Sequence, residues 1–221
     1  MVKTITVDTL TAIQENEYMA DKKKPGHDQW KDYGQSIFTF VNDLMKLGFE
    51  IIYILGEPGT GKSSGMRTLP HDSNVWFNAD NKNPIWTGGK EEYGKKTNPR
   101  APFHMIPTTY QEMLDHIKAG LDKGIFENER YAFVLGHIEA YKTGIETKER
   151  LKVLGKLASK MQLEGKAETV LYSRVEMEGG KRDYILETQS SGYNTARSPM
   201  DLFEGKISND YNLVIEKLSS Y

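Results

Sequence analysis

The feature that most constrains the fold is an apolar run, IIYIL at residues 51–55, followed at once by GEPGTGKS at residues 56–63. An uninterrupted apolar run of this length is typical of a strand buried on both faces of a parallel sheet. The residues after it match the phosphate-loop pattern G-x-x-x-x-G-K-[S/T] at every fixed position, and Pro70 would end a short helix over residues 64–69. A glycine turn can match by chance, but these flanking elements favour an α/β domain that binds nucleoside triphosphates.

The glycines of this loop are needed because successive backbone N–H groups must curl around a phosphate without a Cβ in the way. The positive end of the following helix would add to the attraction. Lys62 would reach the β- and γ-phosphates, and the Ser63 hydroxyl would bind Mg²⁺. The residues predicted to contact the nucleotide are Gly56, Glu57, Pro58, Gly59, Thr60, Gly61, Lys62, Ser63 and Ser64.

Composition excludes several classes of site. The 221 residues include no cysteine, so disulfides, thiolate zinc sites and cysteine nucleophiles are ruled out. Lys plus Arg number 29 and Asp plus Glu number 31, a formal net charge of −2, so nucleic-acid binding would need a local basic patch. Neither a secretory signal nor a spanning helix is recognisable, which predicts a cytoplasmic protein.

Alternation and helical spacing divide the rest of the chain. Strands are predicted at residues 2–7, 74–78 and 131–135, helices at 37–47, 110–121 and 151–161, and an exposed loop at 87–102. Two alternating strands at 169–175 and 182–188 flank EGGK, which indicates a hairpin.

These elements predict one α/β domain over residues 1–221, with a mostly parallel sheet flanked by helices and a C-terminal β-hairpin extension. Its segments would be a strand plus helix at 1–50, the phosphate-loop core at 51–165, and the hairpin with a C-terminal extension at 166–221.

Further motifs suggest a family. The phosphate loop, VDTL at 7–10, FNAD at 77–80, GH at 136–137 and TQSSGYNTARSP at 188–199 together resemble the RecA-like branch of P-loop ATPases. Within it they are similar to the small phage-type ATPases with a RecA core that are associated with single-strand annealing and recombination. This resemblance implies Mg²⁺-dependent ATP hydrolysis, single-stranded DNA as a partner, assembly into a homo-oligomer, and the host cytoplasm if a phage encodes the protein.

The resemblance also implies roles for single residues. Asp8, in ITVDT, is similar to the Walker B aspartate that holds Mg²⁺ opposite Ser63. Asp80 is similar in position to the acidic residue that polarises the attacking water, and His137 to a polar sensor of the γ-phosphate. With Lys62, these last two form the predicted catalytic set.

Each role has a structural alternative. Asp8 could cap the helix that follows it, Asp80 could form an Asx turn, and His137 could be structural. Glu57 is a weaker alternative for the base. Arg197, in the stretch at 188–199, is a candidate to reach a neighbouring subunit's phosphates, although a solvated arginine is the simpler interpretation.

The order of motifs departs from the family, because Asp8 precedes Lys62. Moving residues 3–50 to a point between Glu129 and Arg130 would restore the family's order. A transposed segment, a misordered chain and a chance match all remain open. The carboxyl ends of parallel strands would meet at one edge of the sheet in any case.

Two other functions also fit a phosphate loop. A nucleoside or nucleotide kinase would need arginines for the acceptor phosphate, and residues 88–100 contain one, Arg100. An ATP-gated interaction protein would bind nucleotide without turnover. For DNA, the candidate basic residues are Lys142, Lys148 and Arg150, after the strand that ends at His137.

Overall fold

The structure, a computed structural model, describes residues 1–20, 26–154 and 163–221; of residues 20 and 26–34 it describes the backbone. The strands are β1 (Val2–Asp8), β2 (Phe49–Leu55), β3 (Asn74–Asn78), β4 (Gly94–Lys95), β5 (Asn98–Pro99), β6 (His104–Met105), β7 (Phe126–Gly136), β8 (Ile138–Thr143), β9 (Glu146–Leu151), β10 (Thr169–Glu178), β11 (Lys181–Glu187) and β12 (Lys206–Ser208). The α-helices are α1 (Leu10–Ala20), α2 (Gly26–Lys46), α3 (Gly89–Tyr93), α4 (Tyr110–Asp122) and α5 (Tyr211–Ser219), and 3-10 helices cover Ser63–Thr68 and Leu163–Lys166.

Eight of the described strands form one sheet, in the order β12-β11-β10-β2-β7-β1-β3-β6. The strands from β10 to β6 in this order are parallel to one another, whereas β11 is antiparallel to both of its neighbours, β10 and β12. The mostly parallel α/β sheet is as predicted. The predicted hairpin is also present, as β10 and β11, and it continues the main sheet at one side instead of standing apart from it.

Helices cover both faces of the sheet. On one face α1, α2 and α4 pack against alternate residues of the strands, such as Ile51 and Tyr53 of β2. On the other face α5 and the 3-10 helix Ser63–Thr68 pack against the intervening residues, such as Ile52 and Ile54. Consecutive residues of β2 therefore enter opposite cores, which explains its uninterrupted apolar sequence.

Local chemistry fixes where several helices begin and end. The Thr109 side chain accepts a hydrogen bond from the Glu112 amide at the start of α4, and Asp210 does the same for Leu213 in α5. Beyond the end of α2, Gly48 has a φ of +81°, a left-handed conformation that glycine adopts without steric cost.

Two sequence predictions about these elements need correction. Residues 87–102 are not a plain loop, because they contain α3 and the β4–β5 pair. Leu151 belongs to strand β9, which pairs with β8 in a two-stranded ribbon, and not to a helix. The other positions of that predicted helix include Leu157 and Met161, which lie outside the described residues.

In the parts of the chain that the structure describes, no helix combines the length and the apolar character that crossing a bilayer requires.

The core beneath α5 gives a first testable expectation. Phe133 of β7 is fully buried, and its ring stacks on Tyr211 with centroids 4.6 Å apart. Phe133→Ala should lower the free energy of unfolding by about 3–5 kcal/mol, because it leaves a cavity between sheet and helix. Urea unfolding followed by circular dichroism measures this. The matched control, Ile145→Ala at a fully exposed position, should change it by less than about 0.5 kcal/mol, and equal losses in both variants would contradict the packing described.

Candidate functional site

A cleft forms where the parallel strands end. Leu55 of β2 pairs with Gly136 of β7, and Asp8 of β1 pairs with Asn78 of β3, so these strand ends lie at one edge of the sheet. The glycine loop, residues 56–63, leaves β2 at this edge. The structure thus brings Asp8 to the same edge as the loop, although Asp8 precedes it in the chain.

This carboxyl-edge cleft is lined by four parts of the chain. They are the glycine loop, the end of β1 at Asp8 and Thr9, the turn residues 82–86 after β3, and single side chains from β3 and from the end of β7, Trp76 and His137. Ligands of open α/β sheets bind in such a crevice outside the carboxyl ends of the strands.

Hydrogen bonds within the glycine loop hold its shape. The Lys62 ammonium group donates to the carbonyl oxygens of Gly56 and Glu57, at 2.8 and 2.7 Å, and Thr60 Oγ1 donates to Glu57 at 2.9 Å. Burial lowers the pKa of Lys62 to about 8, although the negative charge of Asp8 acts in the opposite direction. Lys62 is therefore a buried cation whose charge is solvated by the loop itself.

The helix after the loop differs from the sequence expectation. It is a 3-10 helix of six residues, Ser63–Thr68, and not an α-helix. So short a helix contributes little macrodipole, so the attraction for an anion comes from Lys62 and from the amides of the loop. Ser64 faces back toward the loop and donates to the Gly61 carbonyl at 2.8 Å.

Residues far along the chain brace the loop from behind. Ser173 Oγ donates to the Thr60 carbonyl at 2.6 Å, Asn209 Nδ2 donates to Gly61 at 2.7 Å, and the Tyr211 hydroxyl donates to the Lys62 carbonyl. These braces were missed by sequence reasoning, because no motif marks them. The chemistry that could have signalled them is the polar run Ser208 to Asp210 just before an apolar helical pattern.

The close packing of these braces explains two of the glycines. A Cβ on Gly61 would lie 2.7 Å from the Tyr184 ring, and one on Gly65 would lie 2.3 Å from Tyr211. Gly61 also has a φ of +92°, which favours glycine for a second reason. The glycines therefore allow α5 and the hairpin to approach the loop as well as allowing the loop to curl.

Asp8 is a buried carboxylate without a hydrogen-bond partner. Its side chain is 1% exposed, and neither oxygen makes a hydrogen bond of normal geometry to the residues described. Burial raises the pKa of Asp8 from 3.8 to about 6, although the nearby Ser63 hydroxyl acts to lower it. The alternative that Asp8 caps α1 is wrong, since a cap would accept a backbone N–H.

Other buried polar groups of the cleft also lack a hydrogen-bond partner. Within the described ranges, Thr9 Oγ1, Trp76 Nε1 and His137 Nδ1 also have no hydrogen-bond partner, and all three residues line the cleft. Buried polar atoms in proteins are nearly always hydrogen-bonded, so a ligand or water in the cleft would supply the partners that these atoms lack.

His137 follows β7 at the edge of the cleft. Burial lowers its pKa, and the positive charge of Lys62 adds to that effect. The imidazole is therefore held neutral near pH 7 and can both donate and accept a hydrogen bond. A purely structural histidine would be expected to form hydrogen bonds within the fold. The Nδ1 atom of His137 has no partner among the described groups, so the structure does not support that alternative.

Asp80 lies beside the cleft with its carboxylate paired to the Lys82 ammonium group. The Asx-like contact in this turn is made by a different residue: Asn78 Oδ1 accepts from the Lys82 amide at 3.0 Å. Asp80 affects the pKa of Asp8, Lys62 and His137 through its charge, after the larger effect of burial in each case. It is thus part of the electrostatics of the site.

An aromatic and apolar surface forms the β3 side of the cleft. It consists of Trp76, Pro84, Ile85 and Trp86, and Ile85 is 65% exposed. Trp76 is held by His104, whose ring stacks on it with centroids 4.4 Å apart. Sequence reasoning did not connect these residues with the site, because the turn after β3 was not expected to fold back over it.

Three of the basic residues considered for phosphate or DNA contacts, Arg197, Lys148 and Arg150, are engaged within the chain. The Arg197 guanidinium donates to the carbonyls of Glu164 and Ala167, so the solvated interpretation is wrong and a reach to a neighbour is not available in this conformation. On the β8–β9 ribbon, Lys148 pairs with Glu146 at 3.3 Å. Arg150 of the same ribbon also binds a carboxylate, that of Glu139, at 2.8 Å.

The donor set of the cleft fits Mg²⁺. The described residues contain no group of three or more His, Asp or Glu side chains able to hold a metal. Mg²⁺ is usually bound through one or two protein oxygens together with phosphates and water. The Ser63 hydroxyl and the unpaired Asp8 carboxylate, which lie side by side, supply that number.

Comparison with known proteins adds no family. No protein-family model matches the chain, and no curated protein matches it significantly. The function is therefore inferred from the residues of the cleft and their geometry.

The burial of Asp8 predicts how stability changes with pH. The folded pKa of about 6 exceeds the ordinary value of 3.8, so the ionised form is disfavoured on folding. The free energy of unfolding should therefore fall by about 3 kcal/mol as the pH rises from below 3.8 to above 6, and the fall should be complete by about pH 7. Asp8→Asn removes this charge, so the variant should be more stable than the wild type at pH 7.5 and not at pH 4.

Urea unfolding at the two pH values measures this difference. Asp122→Asn, at an exposed position of α4, is the control and should differ little from the wild type at either pH. An Asp8→Asn variant less stable than the wild type at pH 7.5 would contradict the unpaired, buried carboxylate.

Proposed function

We propose that this chain binds ATP with Mg²⁺ in the carboxyl-edge cleft and hydrolyses it. The observation that carries the proposal is the meeting of three groups: a phosphate-loop motif, its buried Lys62, and a buried, unpaired Asp8 carboxylate beside Ser63. A buried carboxylate without a partner is costly, and a cation between it and a phosphate would relieve that cost.

The loop residues would hold the phosphates. Backbone N–H groups of the loop would donate to phosphate oxygens, except those of Gly56 and Thr60, which already donate to carbonyls of the chain. Lys62 would exchange its contacts with Gly56 and Glu57 for the β- and γ-phosphates. Ser63 and Asp8 would hold Mg²⁺, directly or through water. When bound, the metal supplies charge neutralisation at the phosphate oxygens.

Hydrolysis also needs a group that accepts a proton from water. His137 lines the cleft, and its neutral imidazole would either accept the proton or bind the terminal phosphate. Asp80 does not line the cleft, but its charge acts on His137. Glu57 is exposed on the solvent side of the loop, and it contributes charge near Lys62. These residues orient and activate water, which is the chemistry that an ATPase requires.

Action on DNA, a preference for single-stranded DNA and assembly into a homo-oligomer follow only from the resemblance to RecA-like ATPases. The pairing of Lys148 and Arg150 with glutamates reduces the positive charge of the β8–β9 ribbon. A DNA surface would therefore need contributions from neighbouring subunits, consistent with the net charge of −2.

A specific observation favours a second candidate, a phosphotransferase. The aromatic surface of Trp76 and Trp86 lines the same cleft as the glycine loop, where an organic acceptor would receive a phosphoryl group. Against it, the candidate lid residue Arg100 donates to the carbonyls of Glu91 and Glu92 at 3.3 Å, so its guanidinium is already engaged.

One assay separates the candidate functions. Phosphate release from ATP should require Mg²⁺ and should fall at least about a hundredfold in Lys62→Ala, because the lysine is the main cation of the loop. Lys90→Ala, an exposed lysine on α3, is the matched control and should retain activity. Stimulation by single-stranded DNA supports the RecA-like assignment, transfer to a nucleoside supports the kinase, and binding without turnover supports an ATP-gated protein. If Lys62→Ala binds ATP as well as the wild type, the phosphate site is wrong.

A variant of Asp8 tests the metal-binding role separately from the effect of this residue on stability. Asp8→Asn should lose Mg²⁺-dependent turnover by about a hundredfold while the folded state becomes more stable at pH 7.5, because the buried charge serves the metal and not the fold. Turnover and urea unfolding are measured on the same preparation. Unchanged turnover would remove Asp8 from the metal site.

A further inference from the structure

The turn after β3 carries a lysine whose position is fixed by an unusual pair of contacts. Asn78, fully buried at the end of β3, accepts a hydrogen bond from the Lys82 amide at 3.0 Å and donates one to the Lys82 carbonyl at 2.6 Å. Both backbone groups of Lys82 are thus held by one side chain. His104 is at 3.0 Å from the same amide nitrogen of Asn78, which fixes the orientation of the asparagine.

The turn is also joined to β1. The Asp80 amide donates to the Asp8 carbonyl at 3.3 Å, and Asn81 adopts a φ of +51°, which reverses the chain toward the cleft. The backbone of Lys82 therefore stands at a defined distance from the Asp8 strand end. Rotation about its side-chain bonds would let the ammonium group reach different points of the cleft while this backbone position stays fixed.

The charge of Lys82 acts on the phosphate site. Lys82 lines the cleft, and its ammonium group pairs with the Asp80 carboxylate. After the dominant effect of burial, its positive charge lowers the pKa of Asp8, Lys62 and His137. Lys82 is thus electrostatically coupled to Asp8, Lys62 and His137.

The balance of charge in the cleft leaves room for a second cation besides Lys62. A nucleoside triphosphate in the cleft would face the carboxylates of Asp8 and Asp80 as well as Lys62. Among the described residues that line the cleft there is no arginine, and Arg197 and Arg174 are engaged elsewhere: Arg197 binds backbone carbonyls, and Arg174 binds Glu149 and Glu187. A second cation at the terminal phosphate would offset the excess negative charge.

We propose that Lys82 is this second cation, and that it contacts the terminal phosphate of a bound nucleoside triphosphate from the β3 side of the cleft. The proposal rests on the proposed function. As water bonds to the γ-phosphorus, the bridging P–O bond breaks and its electron pair leaves on the diphosphate, while the proton of water passes to a base of the site. Lys82 stabilises the negative charge on the γ-phosphate oxygens and neither gains nor loses a proton.

The same contact would release Asp80. In the described conformation its carboxylate is paired with Lys82, so it is not free to accept a proton from water. When Lys82 turns to the terminal phosphate, the carboxylate loses this partner and becomes a stronger candidate for the base. A triphosphate, and not a diphosphate, would make this exchange.

The test compares affinities for two nucleotides, so it does not depend on turnover. Binding of ADP and of a non-hydrolysable ATP analogue, both with Mg²⁺, is measured by calorimetry for the wild type, Lys82→Ala and Lys82→Arg. Lys82→Ala should lower the affinity for the analogue roughly tenfold and change the affinity for ADP by less than about twofold, since ADP lacks the phosphate that Lys82 contacts. Lys82→Arg should recover most of the loss, and Lys90→Ala should bind both nucleotides as the wild type does.

The outcomes are distinct. Selective loss of the analogue supports the role of Lys82, and so does a parallel fall in kcat of roughly tenfold or more. Equal weakening of both nucleotides, or of neither, overturns it and leaves the proposed function standing. If the wild type binds neither nucleotide, the proposed function fails and this inference fails with it.

Discussion

Strand β1 is an interior strand of the sheet, hydrogen-bonded to β7 on one side and to β3 on the other, and the cleft depends on that pairing. The register of β1 with β3 sets Asp8 opposite Asn78, and Asn78 in turn fixes the backbone of Lys82. The pairing of β2 with β7 sets the glycine loop beside His137 in the same way. The side chains of the site are therefore positioned by backbone hydrogen bonds of adjacent parallel strands.

The charged groups of the cleft, Asp8 and Lys62, are buried, and their pKa values are shifted mainly by the loss of contact with water. Burial raises the pKa of Asp8 to about 6 and lowers that of Lys62 to about 8, so each group is moved toward its neutral form. Their opposite charges partly offset these shifts. A ligand carrying both a cation and phosphate oxygens would reverse them, because it supplies each buried charge with a partner. Residues so perturbed and so close together are more common at functional sites than in structural cores.

The sequence predicted the strands of the core, the mostly parallel sheet and the segments that meet at its carboxyl edge, because these depend on local patterns of apolar residues and on one strict motif. It did not predict α5, β12 or the contacts of Asn209 and Tyr211 with the glycine loop, since such contacts join residues nearly 150 positions apart. The role of Lys82 was also missed. Its neighbours in the chain are polar, and only the fold of the turn after β3 places its charge near Lys62.

Other differences have a similar cause. The ribbon of β8 and β9 has a sequence rich in charged residues, and its pairing is stabilised by ion pairs across the strands, such as Arg150 with Glu139. Arg197 was expected at the surface because arginines usually are, but backbone carbonyls left free near Ala167 recruit its guanidinium. The ion pair of Arg150 and the carbonyl contacts of Arg197 both depend on which charged and polar groups the tertiary structure brings near these arginines.

The central place of β1 also affects how the protein reaches its folded state. The buried hydrogen bond between Thr4 and Asn74 spans 70 residues, and the β7 partners of β1 are farther still. Closing such long loops is entropically costly, and sheets built from distant segments form slowly. Until both neighbours are in place, β1 would present unpaired edges. A partly folded chain would then have a glycine loop without its carboxylate, so the chemistry of the cleft would arise only with the completed sheet.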